Sequence, residues 1–234
     1  MRSGAASAEG GAQFILNFHG IGEPIRPFEP GEALYWLPHR SYLTMLDMIA
    51  AHPGKKEIGL TFDDGNLSDL RLGAPALSER RLKAQFFILA GKLGQKGYLA
   101  GWDVRELSSL GFSIGTHGMN HVRWDLAQAA ALEEEVARAK QILEDLIGAP
   151  VMDAALPFGG YNRSVLLALR RHRFRRVYSS DGGPRLRSSA WPTPRLSVRR
   201  QHSPSDVSAG LEAERRFASR MEVEARAALK SMRL

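Results

Sequence analysis

The sequence predicts an α/β protein whose parallel strands alternate with helices and curl into a closed or nearly closed barrel. Short apolar runs recur along the chain, and each is followed by a glycine or a polar cluster and then by an amphipathic segment. Seven such runs alternate with about six helical segments. This number and spacing favour a (β/α) barrel over an open sheet.

The seven strands are predicted from short, mostly apolar runs that end at glycine or polar residues. In chain order they cover residues 14–18, 58–62, 85–89, 112–114, 152–156, 176–178 and 195–198. The amphipathic segments between and after them predict helices. These cover residues 41–51, 74–83, 104–110, 126–146, 163–172 and 204–232.

Signals at the helix termini support two of these helices. The helix over 126–146 is followed by Gly148 and Pro150, which together form a stop signal. The last helix has Ser203 in the N-cap position and Pro204 at the first helical position, where its missing N–H costs nothing.

No Pro- or Ser-rich linker and no internal repeat interrupts the pattern, so residues 14–234 are predicted to form a single domain. Residues 1–13 are small and polar and are predicted to be a disordered N-terminus. They lack the apolar core of a signal peptide, and the first apolar run is too short to cross a membrane. We therefore expect a cytoplasmic protein without a transmembrane segment.

The amino-acid composition restricts the available chemistry. The chain has 234 residues, of which 44% are hydrophobic and 24% are charged, and this excludes a fibrous or disordered protein. It contains no cysteine, so a disulfide framework, a Cys-type zinc site and a thiol nucleophile are excluded as well. Any strong metal site must use His, Asp or Glu.

The net charge of +7 is concentrated in one stretch of the chain. Residues 163–200 contain eleven arginines, no lysine and one acidic residue, a net charge of +10, so the rest of the chain carries −3. Such a local cationic surface suits an anionic glycan, a lipid phosphate or a nucleic acid, and a solvated arginine-rich face explains it equally well. Because the positive charge lies in one stretch rather than over the whole protein, no nucleic-acid partner is expected.

Polar residues follow two predicted strands at the end where a barrel carries its active site. Asp63 and Asp64 follow the second strand, and His117 and His121 follow the fourth. Adjacent carboxylates reach one site only if the chain turns after the strand, which Gly65 permits, and their repulsion favours a nearby cation. Two histidines four residues apart commonly chelate a metal.

Asp64, His117 and His121 form a two-histidine, one-carboxylate set with open positions for water and substrate. This is the arrangement of a catalytic rather than a structural metal site. The HExxH pattern of zinc proteases is absent, because Gly118 stands where its Glu would be. Zn²⁺ is the expected ion, and Co²⁺, Ni²⁺ and Fe²⁺ suit the same ligands.

Three segments match the motifs of a known family. They are TFDDG at 61–65, HGMNH at 117–121 and LPFG at 156–159, which stands where the family's third motif, usually Arg-x-Pro-Tyr/Phe-Gly, is expected. The chain thus resembles the polysaccharide deacetylases with a NodB homology domain, the family 4 carbohydrate esterases, over about residues 14–200. The resemblance implies a distorted, incomplete (β/α) barrel of about seven parallel strands. It also implies metal-dependent removal of acyl groups, typically acetyl, from amino sugars.

The resemblance further implies roles for individual residues. Asp64, His117 and His121 match the metal ligands, and Asp63 matches the catalytic base that takes a proton from the attacking water. The backbone N–H of Phe158 matches the donor that holds the oxyanion together with the metal.

Two departures from the family pattern affect the catalytic residues. Ala155 replaces the third motif's arginine, which in the family pairs with the base aspartate, and Arg195 and Arg199 are the candidates to replace that arginine. The segment before His202 is too polar to match the family's general-acid motif well. His202 is nevertheless the candidate acid, and His19 is an alternative residue that lines the pocket.

The remaining candidates are contacts to the substrate and to the metal ligands. The candidate substrate contacts are Phe158, His19, Pro157, Trp124, Arg195 and Arg199. Asn120 is a candidate to orient a ligand imidazole by a hydrogen bond.

The leading hypothesis is a metal-dependent hydrolase that removes acetyl groups from an N-acetylated saccharide or from a lipid-linked or nucleotide-linked polysaccharide precursor. A formylated amino sugar or a cyclic ureide is an alternative substrate, because the same chemistry hydrolyses either amide. A catalytically weakened module that binds glycans or anions is a third hypothesis, prompted by the missing arginine and the +10 segment.

Overall fold

The structure is a computed structural model that describes residues 14–182 and 191–231, with side chains described as far as residue 217. The predicted disordered N-terminus and two of the eleven arginines of the basic stretch lie outside the described residues. None of the described helices is long and apolar enough to cross a membrane.

The described strands form one sheet of seven parallel strands in the order β6-β5-β4-β3-β2-β1-β7. The strands are β1 Phe14–Phe18, β2 Ile58–Phe62, β3 Gln85–Ile88, β4 Ser113–Thr116, β5 Asp153–Ala155, β6 Arg176–Tyr178 and β7 Leu196–Ser197. The sheet curls so that Thr193, just before β7, bridges to Tyr178 of β6. The predicted incomplete (β/α) barrel is confirmed.

Seven α-helices surround the sheet in the described residues. They are α1 His39–Ala51, α2 Ala74–Glu79, α3 Gly101–Ser109, α4 Ala129–Glu133, α5 Ala139–Ile147, α6 Arg163–Arg171 and α7 Pro204–Ser231. The helix predicted over 74–83 ends early because Arg81 adopts a left-handed φ of 54°, and the N–H of Leu82 returns to the carbonyl of Leu77.

The long helix predicted over 126–146 begins only at Ala129, after a short 3₁₀ turn. A π-helical turn, Glu134–Arg138, joins α4 to α5 and inserts one extra residue into the helix. The predicted stop is confirmed, since Gly148 has a φ of 66° and its N–H bonds the carbonyl of Glu144. Ser203 and Asp206 cap the start of α7 through reciprocal hydrogen bonds.

Alternate side chains along β1 and β2 point to opposite faces of the sheet, and both faces are buried. Phe18 and Phe62 pack with Phe86 in a stack whose ring centroids are 5.3 and 4.7 Å apart, between the sheet and the helices. Asn17 and Thr61, which directly precede Phe18 and Phe62, are also fully buried, but on the other face of the sheet. The sheet therefore places polar side chains inside the barrel, directly beneath the ends of β1 and β2.

Candidate metal and catalytic site

The turn after β2 directs two adjacent carboxylates into one cavity. Asp64 and Gly65 both adopt left-handed backbone conformations, with φ values of 75° and 69°. Without this turn the side chains of Asp63 and Asp64 would point to opposite faces of the strand. In the structure both line the same cavity, together with His117 and His121.

Asp64, His117 and His121 form the cluster that the sequence predicted. Oδ1 of Asp64 lies 3.6 Å from Nε2 of His117 and 3.5 Å from Nε2 of His121. The three ligand atoms lie within 4.8 Å of one another. Donors of a tetrahedral zinc site, each about 2.0–2.2 Å from the ion, are separated by about 3.3–3.6 Å, so these spacings suit a shared ion better than hydrogen bonds.

The buried oxygen of Asp64 provides a test of whether a cation fits. Oδ1 of Asp64 is buried and has no hydrogen-bond partner among the described residues. A buried carboxylate oxygen without a partner is costly, and a divalent cation between it and the two imidazoles would satisfy it. The donor set therefore fits a metal such as Zn²⁺.

Both imidazoles are oriented by a partner on the side away from Asp64. Nδ1 of His117 donates to the carbonyl of Ala155 at 3.0 Å, and Nδ1 of His121 faces a carboxylate oxygen of Glu29 at 2.7 Å. These contacts hold each Nε2 toward the centre of the site, which is the usual role of the outer partners of metal-binding histidines.

The two histidines differ in their electrostatic surroundings. Burial lowers the pKa of His117, although the neighbouring carboxylates Asp63 and Asp64 oppose this. Burial also disfavours the charged form of His121, but the carboxylates of Asp64 and Glu29 outweigh burial and raise its pKa. The surroundings thus lower the pKa of one imidazole and raise that of the other.

Glu135 organises the loop that carries the two histidines. Its buried carboxylate accepts hydrogen bonds from the N–H of Met119 at 2.8 Å, the side-chain amide of Asn120 at 3.0 Å and the indole of Trp124 at 3.3 Å. It lies in the π-helical turn, and a Cβ at Gly118 would meet its carboxylate at 2.5 Å. The absence of a side chain at Gly118 therefore lets the loop pack directly against the carboxylate of Glu135.

Two predicted roles in this loop are corrected. Trp124 is fully buried in the core and donates to Glu135, so it does not contact a substrate. Asn120 donates to Glu135 rather than to an imidazole. Both side chains stabilise the shape of the loop.

Asp63 pairs with Arg195 inside the barrel. The guanidinium of Arg195 donates to both carboxylate oxygens of Asp63, at 2.8 and 2.7 Å, and the amide of Asn17 donates to Asp63 at 2.9 Å. Burial by itself would raise the pKa of Asp63, but the charges of Arg195 and His117 hold it well below its usual range. Asp63 is therefore an ionised carboxylate held in a fixed orientation.

Of the two arginines that flank β7, only Arg195 reaches Asp63. It comes from just before β7 and supplies the positive charge that Ala155 of β5 lacks. Arg195 is fully buried, and it does not line the cavity that contains Asp63 and Asp64. Arg199 is exposed, and its guanidinium lies 5.7 Å from the centre of the Tyr35 ring.

The catalytic cavity has a volume of about 330 Å³. Its lining residues are His19, Glu29, Pro30, Gly31, Glu32, Leu34, Tyr35, Asp63, Asp64, His117, His121, Phe158, Ser180 and Ser197. Six of these were predicted as site residues. The lining does not include Pro157, Trp124, Arg195, Arg199 and His202.

Two predicted residues shape the mouth of the cavity. Phe158 has a left-handed φ of 56°, is 58% exposed and stacks its ring on His121 with centroids 4.4 Å apart. Pro157, the preceding residue, is buried beneath it. On the opposite side, the ring of His19 lies 4.9 Å from that of Tyr35, and its buried Nδ1 has no hydrogen-bond partner among the described residues.

The structure does not bring His202 into the catalytic cavity. His202 lines a neighbouring hollow, where its Nδ1 accepts a hydrogen bond from the N–H of Arg199 at 3.1 Å. His19, by contrast, lines the same cavity as Asp63 and Asp64.

Glu29 is the main contributor to the site that the sequence did not reveal. It belongs to the connection between β1 and α1, and its carboxylate joins His121 to the hydroxyl of Tyr98, 2.9 Å away. Nothing in the local sequence marks it, because it lies outside every motif and every periodic segment. Its neighbour Glu32 binds Arg26, whose guanidinium also packs on Tyr98.

Comparisons with known proteins agree with this geometry. The sequence model of the polysaccharide deacetylase family matches residues 50–177. YxkH of Bacillus subtilis (strain 168), which is named after that family, is 25% identical over 180 residues, covering 72% of this chain and 64% of its own length. The chain thus spans less than two thirds of that relative.

Solved structures share the fold. The Streptococcus pyogenes deacetylase PplD, solved in complex with acetate, has a TM-score of 0.73 at 20% identity and covers 85% of this chain and 97% of its own. IcaB of Ammonifex degensii has a TM-score of 0.70 at 21% identity, with coverages of 86% and 97%.

Proposed function

The chain belongs to the polysaccharide deacetylase family, and from this we propose that it is a metal-dependent hydrolase that removes acetyl groups from an N-acetylated saccharide or polysaccharide precursor. One observation carries the proposal. A buried, unpartnered carboxylate oxygen of Asp64 faces the Nε2 atoms of His117 and His121 in a cavity that also contains Asp63. This is the donor set of a hydrolytic metal site beside a general base.

Asp64, His117 and His121 would hold the ion, with Zn²⁺ as the expected metal and Co²⁺, Ni²⁺ and Fe²⁺ suiting the same donors. Such an ion, when bound, polarises an amide carbonyl and acidifies a water molecule. The carbonyl of Ala155 and the carboxylate of Glu29 fix the imidazoles for this task.

Asp63 would accept the proton of the attacking water. Its carboxylate lies in the cavity within 3.9 Å of His117 and is kept ionised by Arg195. Asn17 also donates to it, so its orientation is fixed before the substrate arrives. A base held in place needs little reorganisation when it accepts the proton.

Two residues at the cavity wall would act on the rest of the substrate. The backbone N–H of Phe158, in the turn after β5, would donate to the oxyanion, and its exposed ring offers a face to the sugar. His19 would protonate the departing amine, because it lines the cavity and His202 lies outside it.

Release of acetate tests the proposal directly. We expect the zinc-loaded protein to release acetate from N-acetylglucosamine oligomers, and a chelator to abolish this release until metal is restored. A parallel assay for formate, with N-formylated sugars, separates the alternative amide. Acetate release that survives complete removal of metal, or no release from any N-acetylated sugar in a broad panel, would contradict the proposal.

Glu29 gives a prediction about metal affinity. We expect Glu29→Ala to weaken zinc binding by about tenfold to a hundredfold, because His121 loses the carboxylate that orients it. Glu29→Gln keeps an oxygen acceptor and should recover part of the affinity. Competition with a chromophoric chelator measures both, and the visible spectrum of the Co²⁺ form reports the ligand geometry.

Glu23→Ala is the matched control for Glu29, since Glu23 is an exposed glutamate in the same connection and does not line the cavity. It should bind zinc as the wild type does. Equal affinities for Glu29→Ala and Glu23→Ala would show that Glu29 does not position His121.

A further inference from the structure

A second hollow, of about 280 Å³, adjoins the catalytic cavity. Its lining residues are Tyr35, Ser180, Asp181, Gly182, Arg195, Leu196, Ser197, Arg199 and His202. Tyr35, Ser180 and Ser197 line both spaces. These three residues therefore form the border between the catalytic cavity and the adjoining hollow.

Charged side chains line both spaces. The catalytic cavity is lined by Glu29, Glu32, Asp63 and Asp64. The adjoining hollow is lined by Arg195, Arg199, His202 and the acidic residue Asp181. Arg195 is engaged in its buried pair with Asp63, so among the described lining residues Arg199 is the arginine that remains available for a ligand.

The exposed guanidinium of Arg199 has no carboxylate partner in the described part of the chain. No acidic side chain described there lies within ion-pair distance of it, and it lies over the ring of Tyr35, 5.7 Å from the ring centre. The carboxylate of Asp181 is engaged by the hydroxyl of Ser179 at 2.7 Å and by that of Tyr161 at 3.4 Å. An arginine without a carboxylate partner keeps its planar fork of N–H donors free for an anion.

We propose that the adjoining hollow binds an anionic group, a carboxylate or a phosphate, on the sugar next to the N-acetylated one. The inference rests on the proposed function and deepens it, because it makes the substrate an acidic saccharide of at least two units. Arg199 binds the anion, and Tyr35 lies at the junction where the two sugars meet.

Arg199 also sets the direction of binding. It attracts an anionic sugar to the adjoining hollow, which leaves the catalytic cavity to the neutral N-acetylated sugar. The acidic neighbour therefore places the acetamido group next to Asp63 and the two histidines.

A comparison of three disaccharide substrates tests the proposal on the zinc-loaded protein. We compare N,N′-diacetylchitobiose with two disaccharides of N-acetylglucosamine, one joined to glucuronic acid and one carrying a phosphate on the neighbouring sugar. We expect kcat/KM for at least one anionic disaccharide to exceed that for the neutral one by about fivefold or more at low salt. The preference should fall as ionic strength rises, and the two anionic arms show whether carboxylate or phosphate is bound.

Arg199→Gln should reduce the ratio of anionic to neutral kcat/KM toward one. Arg200→Gln is the matched control, because Arg200 is the next residue, is equally exposed and lines neither space. It should retain the wild-type ratio. A wild-type protein without preference, or equal ratios in the two variants, would overturn the proposal.

A binding experiment separates this proposal from the proposed function. A disaccharide of glucuronic acid and unacetylated glucosamine cannot be deacetylated, so its binding is measured by calorimetry on the same zinc-loaded protein. Binding that persists in Arg200→Gln and is lost in Arg199→Gln supports anion binding by Arg199 in the adjoining hollow, even if no acetylated sugar is turned over. Equal binding in both variants, or none in the wild type, contradicts it.

Discussion

Asp63→Asn should lower kcat for acetate release by about a hundredfold or more while leaving bound zinc at the wild-type level. The amide is nearly the same size as the carboxylate but cannot take a proton from water. Asp63 is not part of the cluster of Asp64, His117 and His121, so the metal site should remain. Steady-state kinetics and metal analysis of the same preparation check both parts.

In contrast to Asp63→Asn, the variant His117→Ala removes a metal ligand and should lose the zinc together with activity. His39→Ala is its control, because His39 is exposed at the start of α1, away from the cavity. If Asp63→Asn retained its turnover, Asp63 would not be the base. If His117→Ala kept its full zinc content, the assignment of the metal ligands would be wrong.

Arg195→Met should destabilise the protein by about 3–5 kcal/mol. The guanidinium is fully buried, and its loss leaves the carboxylate of Asp63 in the barrel interior with Asn17 as its one remaining side-chain hydrogen-bond donor among the described residues. The hydrogen bonds that Arg195 gives to Asn17 and Thr61 are lost as well. Urea unfolding followed by circular dichroism measures the change in the free energy of unfolding.

The double variant Asp63→Asn with Arg195→Met isolates the charge pair. Once Asp63 is neutral, the loss of Arg195 no longer leaves an unpaired buried charge, so the double variant should be more stable than the sum of the two single effects predicts. Additive effects would show that the two side chains stabilise the protein independently. Arg199→Met, the exposed arginine of the same segment, should change stability by less than about 1 kcal/mol.

The strands were predictable because their signal is local. Each is a short apolar run ended by glycine or polar residues, and the structure places all seven close to the predicted positions. Helix ends that depend on a single residue, such as Gly148 and Ser203, were also predictable. The π-helical turn was not, because nothing in the local pattern marks the extra residue that turns Glu135 toward the histidine loop.

The candidate metal ligands were predictable from the sequence for a related reason. In a parallel barrel the residues after successive strands meet at one end, so Asp64, His117 and His121 come together once the strands are identified. Trp124 shows the limit of this argument. Its position near His121 suggested substrate contact, but its large ring is buried in the core.

The sequence by itself determined the strand order in the chain, the motif residues and the absence of cysteine ligands. Only the tertiary structure decided which partners complete the site. Glu29 reaches His121 across 92 positions, and Arg195 reaches Asp63 across 132. Such contacts depend on how far the sheet curls and where its connections cross the open end. No local pattern encodes them, because a lone Glu or Arg in a connection has the same local signal whether it faces solvent or a buried charge.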